Sequence, residues 1–393
     1  MKHVLLETFK QKYNHFPEVY SAAPGRINII GEHTDYNKGY VLPAAIHLKN
    51  NCFLSRRDDG QVLLWAENFQ EIGSFMTQNI SPPKKRSWVD YIKGIYWCLG
   101  QEGMHVPGLN CLIYGNIPIE SGLSSSAALE ASVLNGMNTL FDLGLSKVEM
   151  AKLAQRAESN FVGVQCGLMD QFVSFCARNN SALFLDCETL QFHHVPLRLS
   201  KKGLSILVYE TGVRRELAFS EYNKRRKESE MALRYLQKYR IRSYKEANPE
   251  ILKEHRKDME ENLYKRARHV ITENERVLKA FQALKIDDFD TLGDLLFQSH
   301  RSLRDDYAVS CPELDLLYEF GMNFPGCLGA RLTGAGFGGS GIAIIRKEVM
   351  KRFSEEIIQE AINKKLPMPK VYNVRAGEGA RALKLKGKIE NLS

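Results

Sequence analysis

Apolar and polar positions alternate along this chain with two distinct periods. In the opening stretch Val4, Leu5, Phe9, Tyr13 and Phe16 recur at helical spacing, which predicts an amphipathic helix. From 23 to 48 the pattern reads strand, loop, strand: "RINII" alternates, a polar loop follows, and "YVLPAAI" resumes the apolar run after Gly39. "GLNCLIYGNIP" predicts a further strand. "GLSSSAALEASVLNGMNTLF" predicts a loop feeding a helix, because Ala127, Leu134, Met137 and Phe141 repeat at helical spacing behind a glycine and serines. A second helix is expected over "KVEMAKLAQRAESNF" and a third near "CGLMDQFVSFCA". Strands return in "SALFLDC" and "LSILVYE", followed by charge-laced helices from about 216 to 282 that suit the cover of a sheet. Near the end, "ARLTGAGFGGSGIAIIRK" sets a glycine-rich turn before an apolar strand, and "KVYNVRAGEG" predicts the last strand.

Composition narrows the class. At 393 residues the chain exceeds one ordinary core, so two domains with a cleft between them are expected, divided softly near 180 into 1–180 and 181–393. With 44% apolar and 25% charged residues it is globular, and neither a membrane span nor a secretory leader is read in it, so a cytoplasmic protein is expected. Its eight cysteines include no C-x-x-C pair, which supports neither a zinc site nor a disulfide framework. The net charge of +8 favours anionic ligands. The basic runs "KKR" (84–86) and "KRRK" (224–227) arrive without a nucleic-acid-binding motif, so they read as solvated faces and nucleic acid is not expected as a partner.

Three segments carry candidate chemistry. "GLSSSA" at 122–127 can cradle phosphate on unpaired N–H groups at a helix start, or its serines can simply cap that helix. It is not a Walker A loop, since no lysine follows its glycine. Gly334, Gly336 and Gly339 satisfy G-x-G-x-x-G, but a strand pattern follows where a dinucleotide fold needs a helix, so that turn serves tight backbone geometry or direct ligand contact. Phosphoryl transfer also needs a hydroxyl and a carboxylate for Mg²⁺ and a carboxylate at the acceptor hydroxyl. Glu158 and Asp170 are candidates, against the alternatives of a solvent-facing helix residue and a first-turn acid favoured by the helix dipole.

"APGRINIIGEHTDYNKGYVLP" (23–43) closely resembles the signature of the galactokinase family, "GNIPIESGLSSSAALE" (116–130) resembles the second motif of the wider GHMP small-molecule kinases, and "LTGAGFGGSG" (332–341) is similar to their third. "WVDYIKG", "AESNFVGVQCGLMDQF" and "ELAFSEYNKRR" extend the likeness over nearly the whole chain. The resemblance implies a two-domain α+β fold, with a left-handed βαβ unit in the N-terminal domain, an antiparallel sheet with helices in the C-terminal domain, and the active site in the cleft between them. It implies an ATP- and Mg²⁺-dependent kinase acting on the anomeric C1 hydroxyl of α-D-galactose, and a monomer is expected.

By the same resemblance Glu32 and His33 bind the sugar near its C6 hydroxyl, and Asp35 binds the C3 and C4 hydroxyls. Gly167 and Tyr222 make further sugar contacts. Asp170 acts as base or electrostatic orienter, and Arg26 holds Asp170 charged and neutralises the moving phosphoryl group. Gly122, Leu123, Ser124, Ser125, Ser126 and Ala127 carry the triphosphate, Ser126 and Glu158 serve Mg²⁺, and Trp88 with Tyr91 flanks the adenine, although Trp88 also suits core filling. Gly212 and Arg215 depart from the family pattern at the sugar-side edge. Kinases of N-acetylgalactosamine or arabinose are the near alternatives, and the intact Glu32, His33 and Asp35 set favours galactose. A sugar sensor without activity is the distant one, and it is disfavoured by the intact "LSSSAA".

Overall fold

The computed structural model describes residues 2–119, 121–213 and 218–385. The first half of the chain builds a six-stranded sheet from β1 (Val19–Asn28), β3 (Pro43–Arg57), β4 (Gln61–Ala66), β5 (Glu71–Met76), β6 (Gly108–Gly115) and β13 (Arg381–Lys384), in the order β13-β1-β3-β6-β4-β5. Alternation decides which side chain goes where. Cys52 and Leu54 of β3 and Cys111 and Ile113 of β6 join the core formed with α2 (Val89–Gln101), α3 (Ser125–Leu140), α4 (Lys147–Arg156) and α5 (Met169–Cys176). Phe53 and Leu112, between them in sequence, point the other way onto Leu5, Leu6 and Phe9 of α1 (Lys2–Tyr13). The first helix therefore forms where predicted, but with a different face: Val4 is exposed and Phe16 lies beyond its end. β4 runs parallel to β6, and the connection between them passes through β5 and α2.

The second half adds a four-stranded antiparallel sheet, β10-β11-β9-β12, from β9 (Leu204–Glu210), β10 (Cys327–Thr333), β11 (Ser340–Arg346) and β12 (Lys370–Val374). A third sheet of three short strands, β2 (Tyr40–Val41), β7 (Ser181–Asp186) and β8 (Phe192–Pro196), straddles the position near 180 where a boundary was expected. The charge-laced stretch folds as α6 (Ala218–Gln237), α7 (Pro249–Glu254) and α8 (Glu261–Lys285), and α9 (Phe289–Asp305), α10 (Pro312–Asn323) and α11 (Met350–Asn363) follow. The halves share a core in which Ile27, Ala44 and Ile46 of the first meet Ile206, Val277, Leu292 and Ile342 of the second. β13 departs from a simple division at 180: it pairs with β1 in the register Val19↔Lys384, so the chain returns to its first sheet. Cys52, Cys98, Cys111 and Cys176 are buried, and all eight cysteines are unbridged.

Helix and strand pack tightly where both carry glycine. α9 lies on β10 at Gly293, where a Cβ would strike the Leu328 carbonyl, and Gly329 returns the contact against the Gly293 backbone. Adding one methyl there forces the helix off the strand. Gly293→Ala is expected to cost about 3 kcal/mol in urea denaturation, whereas Gly100→Ala on an exposed turn of α2, with open space around its Cβ, is expected to gain up to about 1 kcal/mol from helix propensity. Equal midpoints for the two variants would refute the close contact.

Candidate active site

Asp170, in the first turn of α5, and Arg26, on β1, meet as a two-pronged pair. Arg26 Nε donates to Asp170 Oδ1 and Nη2 to Oδ2, each at 2.7 Å, while Nη1 donates to the Gly122 carbonyl at 2.6 Å. The rigid guanidinium plane fixes the carboxylate's orientation through both oxygens. Gly25 lets the neighbouring loop come this close, since a Cβ there would lie 2.5 Å from the Leu123 carbonyl. Ser124 stands left-handed (φ 60°, ψ 50°) at the start of α3, and its hydroxyl donates to Asp170 Oδ2 at 2.5 Å instead of capping the helix. Ser124 makes no side-chain cap bond to this helix, and first-turn N–H groups with the helix dipole behind them can meet an anion. Leu123 and Ala127 are buried and contribute backbone, and Ser125 and Ser126 line the cavity.

That cavity, of about 370 Å³, is bounded by Arg26, Asp170 and the serine loop on one side and by Glu32, His33, Asp35, Tyr222, Gly334 and Ala335 on the other. Asp35 faces Gly167, where any Cβ would collide with its carboxylate. Burial, and then the charge of Asp170, raise the Asp35 carboxyl to about 6. His33 adopts a left-handed backbone (φ 62°). Its Nε2 lies 3.2 Å from the Ala335 carbonyl, which can only accept, so Nε2 carries the proton and Nδ1 accepts from the Tyr36 hydroxyl at 2.8 Å. Tyr36 must then accept from the Tyr307 hydroxyl at 2.9 Å. Burial lowers His33 to about 3, so this ring is neutral.

Glu32 is a strut across the cleft. Its carboxylate pairs with Nη2 of Arg331, a fully buried residue of β10, and accepts from the Gly334 N–H at 2.9 Å and the Thr333 hydroxyl at 3.3 Å. Burial raises it to about 7 against the pull of Arg331 and the Gly334 N–H. Arg331 also donates to the Ile29 carbonyl at 2.8 Å and stands 3.9 Å from Glu273 of α8, which accepts from the Gly31 N–H at 2.9 Å. The glycine-rich turn therefore holds the loop at 29–35, and β11 follows it as a strand.

Glu158 lies in a π-helical turn, Ala157–Val162, that continues α4, a local form frequent at functional sites. Its carboxylate bonds Ser126, Cys166 and Gln171, and burial followed by the Asp170 charge raises it to about 7. A hydroxyl and a carboxylate side by side at the serine loop form a hard-oxygen pair of the kind that suits Mg²⁺. Trp88 and Tyr91 do not line the cavity: the Trp88 indole donates to Glu71 at 3.1 Å, and Tyr91 lies within electrostatic reach of Glu158 and Glu130. Gly212 lies beside Pro367 and Met368, and Arg215 falls outside the described residues. Sequence reasoning missed Tyr36, Glu130, Gln171, Tyr307 and Arg331. For Arg331 a signal existed, an arginine inside an otherwise apolar strand, which demands a buried partner.

An anion cradle at a helix start, an arginine-locked carboxylate and a polar pocket beside it define a small-molecule kinase of the GHMP type. The chain matches the GHMP kinases N terminal domain over 90–178 and the GHMP kinases C terminal over 277–365. Mevalonate kinase of Methanococcus jannaschii shares the fold at 19% identity with a TM-score of 0.64, over 91% of this chain and 98% of that one. Within that class the chain belongs to the galactokinase family. It matches the galactokinase galactose-binding signature over 7–56. It is 46% identical to the galactokinase of Thermotoga neapolitana, over 85% of this chain and 91% of that one, and 42% identical to that of Thermococcus kodakarensis, over 93% and 99%. The Lactococcus lactis galactokinase complexed with galactose superposes with a TM-score of 0.93 at 36% identity, over 97% of this chain and 100% of that one.

Removing Arg331 leaves Glu32 buried without its cation, while Glu273 keeps Arg276, whose Nε donates to it at 2.7 Å. Arg331→Met is expected to cost about 3–5 kcal/mol at pH 8. A carboxyl already raised by burial then rises further, so the variant's folded state takes up a proton at Glu32. Stability tied to such a group is present below its unfolded value and is lost as pH rises through the folded one. The gap from wild type in urea midpoint should therefore be smaller at pH 5 than at pH 8, and a gap that shrinks towards pH 8 would exclude Glu32 as the uncompensated charge.

Proposed function

We propose that this chain transfers the γ-phosphoryl group of ATP to the anomeric C1 hydroxyl of α-D-galactose, giving galactose 1-phosphate. The observation that carries the reading is the Arg26 fork on Asp170, set between an uncapped helix start and the pocket of Asp35. Galactose bound to the Lactococcus lactis relative supports the choice of acceptor, and ATP as donor follows from the kinase family.

Asp170 takes or orients the C1 hydroxyl proton, and Arg26 keeps its carboxylate aimed while adding positive charge beside the transferring group. The N–H groups at the start of α3 receive the phosphates, and Ser124 holds the second edge of Asp170. Asp35 accepts from the vicinal C3 and C4 hydroxyls, and Gly167 clears the space in front of it. Glu32 and His33 close the C6 end. Of the roughly four lone-pair sites of the Glu32 carboxylate, Arg331 and Gly334 take two and the Thr333 hydroxyl, whose one proton is shared with the Asn28 carbonyl, approaches a third, which leaves room for a sugar hydroxyl. Tyr222 packs its ring 5.7 Å from that of His33 and covers the sugar. Ser126 and Glu158 would hold Mg²⁺, which would supply neutralisation of phosphate charge. Residues 1–180, with β13 returned to them, form the unit that carries the sugar and phosphate loops, and the rest of 181–393 supplies Tyr222 and the glycine-rich turn. A cytoplasmic monomer is the setting, in keeping with the unbridged cysteines.

ATP consumption with galactose, N-acetylgalactosamine, arabinose, glucose and mevalonate, each with and without Mg²⁺, tests this. Galactose should be strongly preferred, because an equatorial C4 hydroxyl leaves buried acceptors unpaired, and chelation of Mg²⁺ should abolish turnover. Equal rates with glucose would overturn the assignment. In Asp170→Asn, galactose and ATP should still bind by calorimetry while kcat falls roughly 10²-fold or more. Combining it with Arg26→Ala should cost much less in kcat/KM than the product of the two defects, and strictly multiplicative losses would show that the pair does not act as a unit.

A further inference from the structure

Beneath the phosphate loop lies a cluster that the proposed chemistry does not use. Glu130, on α3 four residues beyond Ser126, is fully buried, as is Gln171, which follows Asp170 on α5. Gln171 Nε2 donates to Glu158 Oε2 at 2.5 Å and to Glu130 Oε2 at 3.3 Å. One amide nitrogen is thus forked between two carboxyl groups carried by different helices. The amide is assigned with its NH₂ end towards both carboxyl groups, which leaves Gln171 Oε1 without a hydrogen-bond partner among the described residues. No cation is paired with Glu130 among the described residues, and its Oε1 has no hydrogen-bond partner there. A second buried carboxyl beside Glu158 is costly for stability alone.

We infer that Gln171 and Glu130 are positioning residues: Gln171 aims the Glu158 carboxylate at the Ser126 hydroxyl, and Glu130 holds the Gln171 amide in the orientation that does so. The inference rests on the reading of Ser126 and Glu158 as the Mg²⁺ pair. The geometry favours it over simple packing for two reasons. The π-helical turn takes Glu158 out of the regular helix, so its direction depends on its side-chain partners, and Gln171, at 2.5 Å, donates to it from α5 beside Ser126 and Cys166. Gln171 also adjoins Asp170, so one turn of α5 orients both the carboxylate at the acceptor and the carboxylate at the metal. Carboxylates that bind metal depend on such outer hydrogen bonds for affinity.

The test uses the full chain saturated with a non-hydrolysable ATP analogue, with Mn²⁺ affinity read by electron paramagnetic resonance and galactose affinity by calorimetry. Gln171→Met and Glu130→Met, which keep volume and remove the bonds, should each weaken Mn²⁺ binding about tenfold or more while leaving galactose affinity unchanged. Glu130→Gln still offers an oxygen to the Gln171 amide and should restore Mn²⁺ affinity to within about threefold of wild type. Wild-type Mn²⁺ affinity in both methionine variants overturns the inference, as does equal weakening of metal and galactose, the mark of a merely structural role. If Gln171→Met does not fold, the contrast between Glu130→Met and Glu130→Gln decides alone. Glu158→Gln keeps the two failures apart. If it loses Mn²⁺ while the Gln171 and Glu130 variants do not, only the positioning role falls, and if it binds Mn²⁺ normally, the metal assignment falls and the inference falls with it.

Discussion

A guanidinium with no access to solvent organises this molecule. Arg331 holds Glu32, the Ile29 carbonyl and the vicinity of Glu273 from the middle of an apolar strand. A buried cation is tolerated only where acceptors meet it. Here they reach both terminal nitrogens of Arg331, from the strand-end carbonyls of Asn28 and Ile29 and from Glu32, while its Nε is left without a partner among the described residues. The strand and the loop at 29–35 must therefore be in place together, with helix α8 bringing Glu273 alongside. The demand runs both ways: Glu32 needs a cation, and Gly31 needs an acceptor, which Glu273 provides. The cleft is therefore fixed by charge as well as by the shared apolar core, and a loop that in isolation would be a mobile polar turn is fixed from behind.

The chemistry at the front of the cleft repeats this economy. Ser124 gives up the usual duty of a serine at a helix start and attaches itself to Asp170, and in doing so leaves backbone N–H groups available. Arg26 spans from Asp170 to the Gly122 carbonyl, so one side chain sets both the carboxylate and the loop. Each polar group in this region answers to two others.

Local patterns made the elements legible. Strand alternation, the serine-rich helix start and the glycine turn before β11 could each be read from neighbours in sequence, and the family motifs then named the residues. What could not be read joins distant parts. Arg331 meets Glu32 299 positions away, and no period or motif spans that gap. Tyr36 and Tyr307, 271 positions apart, become a relay to His33 only in three dimensions. Glu130 carries no signal in the sequence, since a glutamate on a helix is ordinarily a solvated face, whereas here the helix turns it into the core. The face of α1 was misjudged for a related reason: periodicity locates a stripe but not its angular limits, and the narrow strip of sheet available takes Leu6 and leaves Val4 out.

The return of β13 to β1 has a bearing on how the molecule is made. Val19 finds its partner Lys384 only after almost all of the chain has been synthesised. Until then the rim of the first sheet presents a row of unpaired backbone groups, with α1 and several helices already able to dock beside it. The nascent chain thus leaves the ribosome with an open hydrogen-bonding edge for as long as synthesis of the second half takes, and closing it is a contact of very high sequence separation that comes late. A fragment ending near 180 would keep that edge permanently, so the first half is a folding unit only in the company of the last strand.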